Sequence, residues 1–237
     1  MKRKLIALIL SAAMVLSTTT VALAEVKTCS TDDTVEGDVT DGLSVNNGAE
    51  VTVNGDVSNE DGSTANAVAA YGEGTKVTVN GNVTDTASQE GYGINAGSGA
   101  KVTVDGNVTS SGGEGINVSG DTTVNVTKNV SGEKKGIVIE GSSGEVGTVT
   151  VDGDVTGAVL ATNGNVTTGS VTGNGNSDST ISESEDSTIK VNGNVKAGES
   201  EAAIKTDGGS TIVVTGTIDS GDEAAIVFDH SNLDESS

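Results

Sequence analysis

The chain has 237 residues, with 34 acids against 12 basic residues, a formal net charge of −22, one cysteine, no proline and no tryptophan. A field of that sign repels nucleic acid and anionic membrane, so neither is expected as a partner. The lone Cys29 excludes an internal disulfide.

Lys2, Arg3 and Lys4 open the chain, an apolar run from Leu5 to Leu16 follows, and Ala22-Leu23-Ala24 forms a small-x-small site before Glu25. That order predicts a secretory signal peptide over residues 1–24, and the apolar run is too short to span a bilayer as a helix. Cleavage removes three basic residues and no acid, taking the formal charge from −22 to −25. It also removes both methionines and the only arginine. No later segment is apolar enough to anchor the chain, so a secreted or surface-associated protein that does not span a membrane is expected. Residues 25–32 are read as a flexible lead-in. Cys29 lies within it, five residues beyond the cleavage site, where a lipidated cysteine would be the first residue.

From residue 33 the sequence repeats. Val-Thr-Val-Asn-Gly-Asp-Val occupies 51–57, Val-Thr-Val-Asn-Gly-Asn-Val 77–83 and Val-Thr-Val-Asp-Gly-Asn-Val 102–108. Related copies lie at 124–130, 149–155, 189–195 and 212–218, with weaker ones at 33–39 and 169–175. The central residues are Gly37, Gly55, Gly81, Gly106, Lys128, Gly153, Gly173, Gly193 and Gly216, spaced 18 to 26 residues apart. A second element recurs between them, as in Gly93-Ile94-Asn95-Ala96, Gly115-Ile116-Asn117-Val118, Gly136-Ile137-Val138-Ile139, Ala203-Ile204 and Ala225-Ile226, with Ala67-Val68-Ala69 its first instance.

The period-2 alternation of Val-Thr-Val turns both valines to one side. Asn-Gly and Asp-Gly are expected to turn the chain through positive φ. One unit cannot bury its own valines, whereas stacked units bury them in continuous columns. The expected fold is all-β: a parallel β-solenoid of about nine coils of roughly 22 residues, three short strands each, over 33–229, with a polar tail at 230–237. A hairpin sandwich also accommodates short strands separated by Asn-Gly, but near-constant period and unit-to-unit likeness favour the solenoid. The absence of proline agrees, since proline would interrupt the ladder.

The Val-x-Val-Asn-Gly-Asn-Val coils, over about 33–228, resemble those of right-handed parallel β-helix proteins of the bacterial surface, such as adhesins and autotransporter passengers. The resemblance implies a rigid, non-enzymatic scaffold presenting loops to a surface ligand, a glycan or another protein. The same resemblance leaves a carbohydrate-binding or carbohydrate-active β-helix as an alternative, and the outward threonines and open strand edges of the repeat leave another, an ice-binding or self-assembling solenoid whose ends add strands.

No catalytic, cofactor or metal site is assigned. The acids Asp38, Asp56, Asp105, Asp152 and Asp154 sit at repeat turns, which explains them as turn formers. His230, the only histidine, falls in the expected tail. A site should break the repeat, and the clearest breaks are residues 142–147 and the acidic run 182–186. Neither holds a nucleophile–base pair. Thr52, Thr78, Thr103 and Thr150 are expected to form an outward ladder, interrupted by Asn125 and Lys190. Asn54, Asn80, Asp105, Asp152 and Asn192 are expected to align at the turn. The Asn-x-Thr triplets beginning at Asn82, Asn107 and Asn165 match glycosylation acceptors but arise from the repeat.

Overall fold

A computed structural model describes residues 26–60, 66–87, 91–207 and 209–228. The expected signal peptide, His230 and the polar tail lie outside them. The described residues contain strands and turns, and no helix long and apolar enough to cross a membrane.

The architecture is a parallel β-solenoid. Nine strands stack into one sheet: Asp33–Glu36, Glu50–Asn54, Lys76–Val79, Lys101–Val104, Thr123–Val126, Gly147–Val151, Gly164–Thr168, Thr188–Val191 and Thr211–Val214. Nine strands define eight full turns. A second sheet of 16 strands carries the other two sides of each coil. In two coils those sides run together as single long strands, Val130–Glu140 and Val155–Thr162.

Register follows the repeat. Val51, Val77, Val102, Val124, Val149, Val166, Ile189 and Ile212 stack in one inward column. On another side Leu43, Val68, Ile94, Ile116, Ile137, Val159, Ile181, Ile204 and Ile226 form a second. Its members from Leu43 to Ile204 are buried, each excluding water from its neighbours above and below. Leu43, Val159 and Ile181 belong to this column although their flanking residues disguise them.

Two boundaries differ from expectation. Lys27–Cys29 is already a strand, paired with Leu43–Val45, so the stack begins inside the expected lead-in. The unit at 169–175 is displaced: Val149 pairs with Val166, and Val155 with Val171. The residue stacked on Gly153 is Gly169, whose N–H donates to the Gly153 carbonyl at 2.8 Å, and not Gly173. That coil is the shortest, and its inward Thr168 obscures the repeat.

The turn glycines also have a different cause. Of the stacked set only Gly37 has positive φ. At Gly81 a Cβ would lie 2.5 Å from both the Gly55 carbonyl and Asp56 Oδ1, and at Gly153 it would lie 2.5 Å from Asn129 Oδ1. At Gly55, Gly81, Gly153, Gly169, Gly193 and Gly216 a side-chain oxygen from the preceding coil lies in the space a Cβ would fill, and at Gly106 the Gly81 backbone does. Close approach, not turn conformation, demands glycine there.

Those oxygens form a continuous ladder. Asp38 Oδ1 accepts the Asp56 N–H at 2.9 Å, Asp56 the Asn82 N–H at 2.7 Å, and Asn82 the Asn107 N–H at 3.0 Å. It continues through Asn129, Asp154, Ser170 and Asn194 to the N–H of Thr217. Beside Lys128, where glycine is replaced, the rung persists at 3.2 Å, as long as the Asn194 rung beside Gly193. The column expected to stack, the residue before each glycine, pairs only in pieces, such as Asn80 Nδ2 to Asn54 Oδ1 at 2.8 Å.

Candidate functional surfaces

The Thr ladder has the expected register and is longer than expected: Thr34, Thr52, Thr78 and Thr103 stack, Asn125 intervenes, and Thr150 and Thr167 continue it to Lys190 and Val213. The side-chain amides of Asn82 and Asn107 donate to Asp56 and Asn82 within the turn ladder, whereas Asn165 is exposed on a strand. A glycan on Asn82 or Asn107 would occupy the side-chain nitrogen that doubles the backbone rung.

Residues 142–146 form an exposed turn fastened by the Val146 N–H on Asp121 Oδ1 at 2.7 Å, and Gly147 is already a buried strand residue. With Glu73, Asp121, Glu140 and Glu145 the turn walls an acidic concavity of about 590 Å³. Among the described residues no group of three or more Asp, Glu, His or Cys side chains is placed to hold a metal.

The acidic run 182–186 is part strand and part turn: residues 182–184 continue a strand, and Glu185 and Asp186 turn outward, exposed. Ser179–Ser184 is a strand of the second sheet, in which Ile181 pairs with Ile204 and Glu183 with Thr206. Glu183 therefore occupies the inward column between Ala161 and Thr206, 4% exposed, with neither carboxylate oxygen hydrogen-bonded. Alternation with Ile181 was the available signal, hidden by four acidic or hydroxyl neighbours that look like a solvated loop.

A second buried acid closes the lateral face. Glu201 is fully buried and accepts hydrogen bonds from Thr180 Oγ1 at 2.8 Å and from the N–H groups of Ser177 and Gly198, each at 3.1 Å. It pins an overhang, residues 173–178, whose Asn174 and Asn176 amides reach back to the Glu133 carbonyl at 2.6 and 2.7 Å. Beside the overhang lies a groove of about 310 Å³ carrying Lys135, Lys205, Ser182 and Asn176. Lys135 also reaches Glu114 at 3.4 Å.

A third acid, Asp85, sits in an internal polar stack, accepting from Asn59 Nδ2 at 3.1 Å, Ser110 Oγ at 3.0 Å and the Ala87 N–H at 3.2 Å. Burial raises its pKa above the ordinary 3.8, with those three hydrogen bonds opposing the shift. A raised folded-state pKa makes the native chain hold more protons than the unfolded chain. The stability this confers is complete below 3.8 and is lost as pH rises through the folded value. Asp85→Asn keeps the acceptor for Asn59 and offers an amide to Ser110 Oγ, whose hydrogen can turn to the Gly91 carbonyl at 3.0 Å. Urea midpoints at pH 4 and pH 7 should show the variant gaining on the wild type as pH rises; a pH-independent difference would contradict this.

The two ends differ. At the N-terminal end Lys27 Nζ lies 3.1 Å from Asp33 Oδ2, raising the lysine pKa and lowering that of the aspartate. Burial pushes the neighbouring Cys29 thiol up. At the other end Val213, Ile218, Ile226 and Phe228 are exposed, Phe228 by 62%. No protein-family model, curated protein or solved structure matches this chain.

Proposed function

We propose that the chain is an exported, non-enzymatic scaffold, a stiff stalk in the manner of surface β-helices, that presents its lateral overhang and groove to another surface. The observation that carries this reading is the side-chain ladder running from Asp38 to Thr217. Every coil is tied to the next by a bond independent of the lateral loops, so those loops can vary without loosening the rod. Export rests on the three-part leader. A glycan as the surface ligand is favoured by the lysines, hydroxyl and amide of the groove at Lys135 and Lys205.

The test is an array of glycans and cell-surface proteins probed with the chain from residue 25 onward. Saturable binding lost in the double variant Lys135→Ala, Lys205→Ala, with an unchanged thermal melt, is the expected result. Release of cleaved saccharide, or binding indifferent to both lysines, would overturn it.

A further inference from the structure

The C-terminal mouth of the solenoid opens on a cavity of about 390 Å³. Its wall is formed by Ile204, Ile212, Val214, Ile226 and Phe228, with Glu183, Thr206 and Ser210 as its polar lining residues. Glu183 is 4% exposed and its carboxylate has no hydrogen-bond partner among the described residues. Neither buried acid elsewhere is left so: Asp85 and Glu201 each take three hydrogen bonds. An unpaired buried carboxylate is costly, and a cation that reaches it recovers that cost.

We propose that this mouth binds a small amphipathic ammonium compound, its apolar tail against Ile204, Ile226 and Phe228 and its ammonium on the Glu183 carboxylate. Glu183 already forms part of the cavity wall. The volume lies toward the small end of the roughly 300–1,000 Å³ range of small-molecule sites. A hydrated divalent ion suits it poorly, since one carboxylate and the hydroxyls of Thr206 and Ser210 cannot replace a shell of six or more oxygens. A neutral or anionic apolar molecule leaves the carboxylate unpaired. A second copy of the chain is also a poorer fit: its N-terminal end would bring Lys27 already paired with Asp33, on a strongly acidic body. This inference stands apart from the scaffold reading, which concerns the lateral face.

Calorimetric titration of the exported chain with phenethylammonium chloride, 2-phenylethanol and 3-phenylpropionate at pH 7 tests it. The ammonium should bind saturably and at least ten-fold more tightly than the alcohol, and the carboxylate should not bind. Glu183→Gln should bring the ammonium down to the level of the alcohol while leaving the alcohol unchanged. Methyl chemical shifts of Ile204 and Ile226 in the unsubstituted chain should move with the ammonium, which locates the site even if the variant folds poorly. Absence of saturable binding overturns the proposal. So does an ammonium preference that persists in Glu183→Gln, or one that vanishes in about 0.5 M salt, where diffuse attraction to an acidic surface is screened.

Discussion

Gly106→Val is expected to cost about 3–5 kcal/mol and to open the middle of the stack. A Cβ at this position would meet the Gly81 carbonyl oxygen, lie 2.6 Å from its carbon and 3.0 Å from the Asn82 nitrogen. All three are backbone atoms, so no flexible side chain can yield. Separating the coils would also stretch the rung from the Asn107 N–H to Asn82 Oδ1, now 3.0 Å. Lys128→Gly supplies the contrast, because the same column there already accommodates a side chain in an exposed position. It should change stability by no more than about 1 kcal/mol, the scale of the glycine entropy cost. Urea unfolding followed by circular dichroism measures both, and equal midpoints would remove close approach as the reason for the glycine column. In a stack whose units touch only their neighbours, hydrogen exchange should rise first in the coils flanking Gly106.

Glu201→Ala is expected to cost about 3 kcal/mol, since it strands the Thr180 hydroxyl and the N–H groups of Ser177 and Gly198 in a buried place. Glu201→Gln should cost less but still be destabilising, because its amide nitrogen would face donors where an oxygen now accepts. The effect should be local. Amide exchange over residues 173–180 should accelerate, while Lys76–Val79 and Lys101–Val104 keep their protection. Uniform acceleration along the rod would show that Glu201 supports the whole stack and not the overhang alone. The groove at Lys135 shares the overhang's Asn176 and Ser177, so the same variant should weaken any ligand taken there.

The solenoid was legible because its signal is local and repeated. Val-Thr-Val states which residues face inward, and its four copies, with the related triplets at 124–126, 189–191 and 212–214, leave little freedom in register. Legibility failed where one coil lacked local help. Gly164–Thr168 has a threonine at an inward position, so the local pattern points to Gly173, whereas the residue stacked on Gly153 is Gly169. Among the surface features, the Thr ladder was readable from alternation alone. Glu183 was not, because a glutamate between serines reads as solvated unless Ile181 is known to face the core.

From sequence alone came the coil, the inward valines and isoleucines, and the parallel stack, because alternation and unit length act over a few residues. The stack itself decided the rest. The spacing between coils decides that the residue after glycine, and not the one before it, carries the ladder. From Gly55 onward it decides that glycine is needed for closeness and not for positive φ. The pairing of Ile181 with Ile204 decides that Glu183 lies inside, beside an open apolar mouth. Each of these depends on atoms about twenty residues apart in the chain and one strand spacing apart in space, a distance that no local pattern encodes.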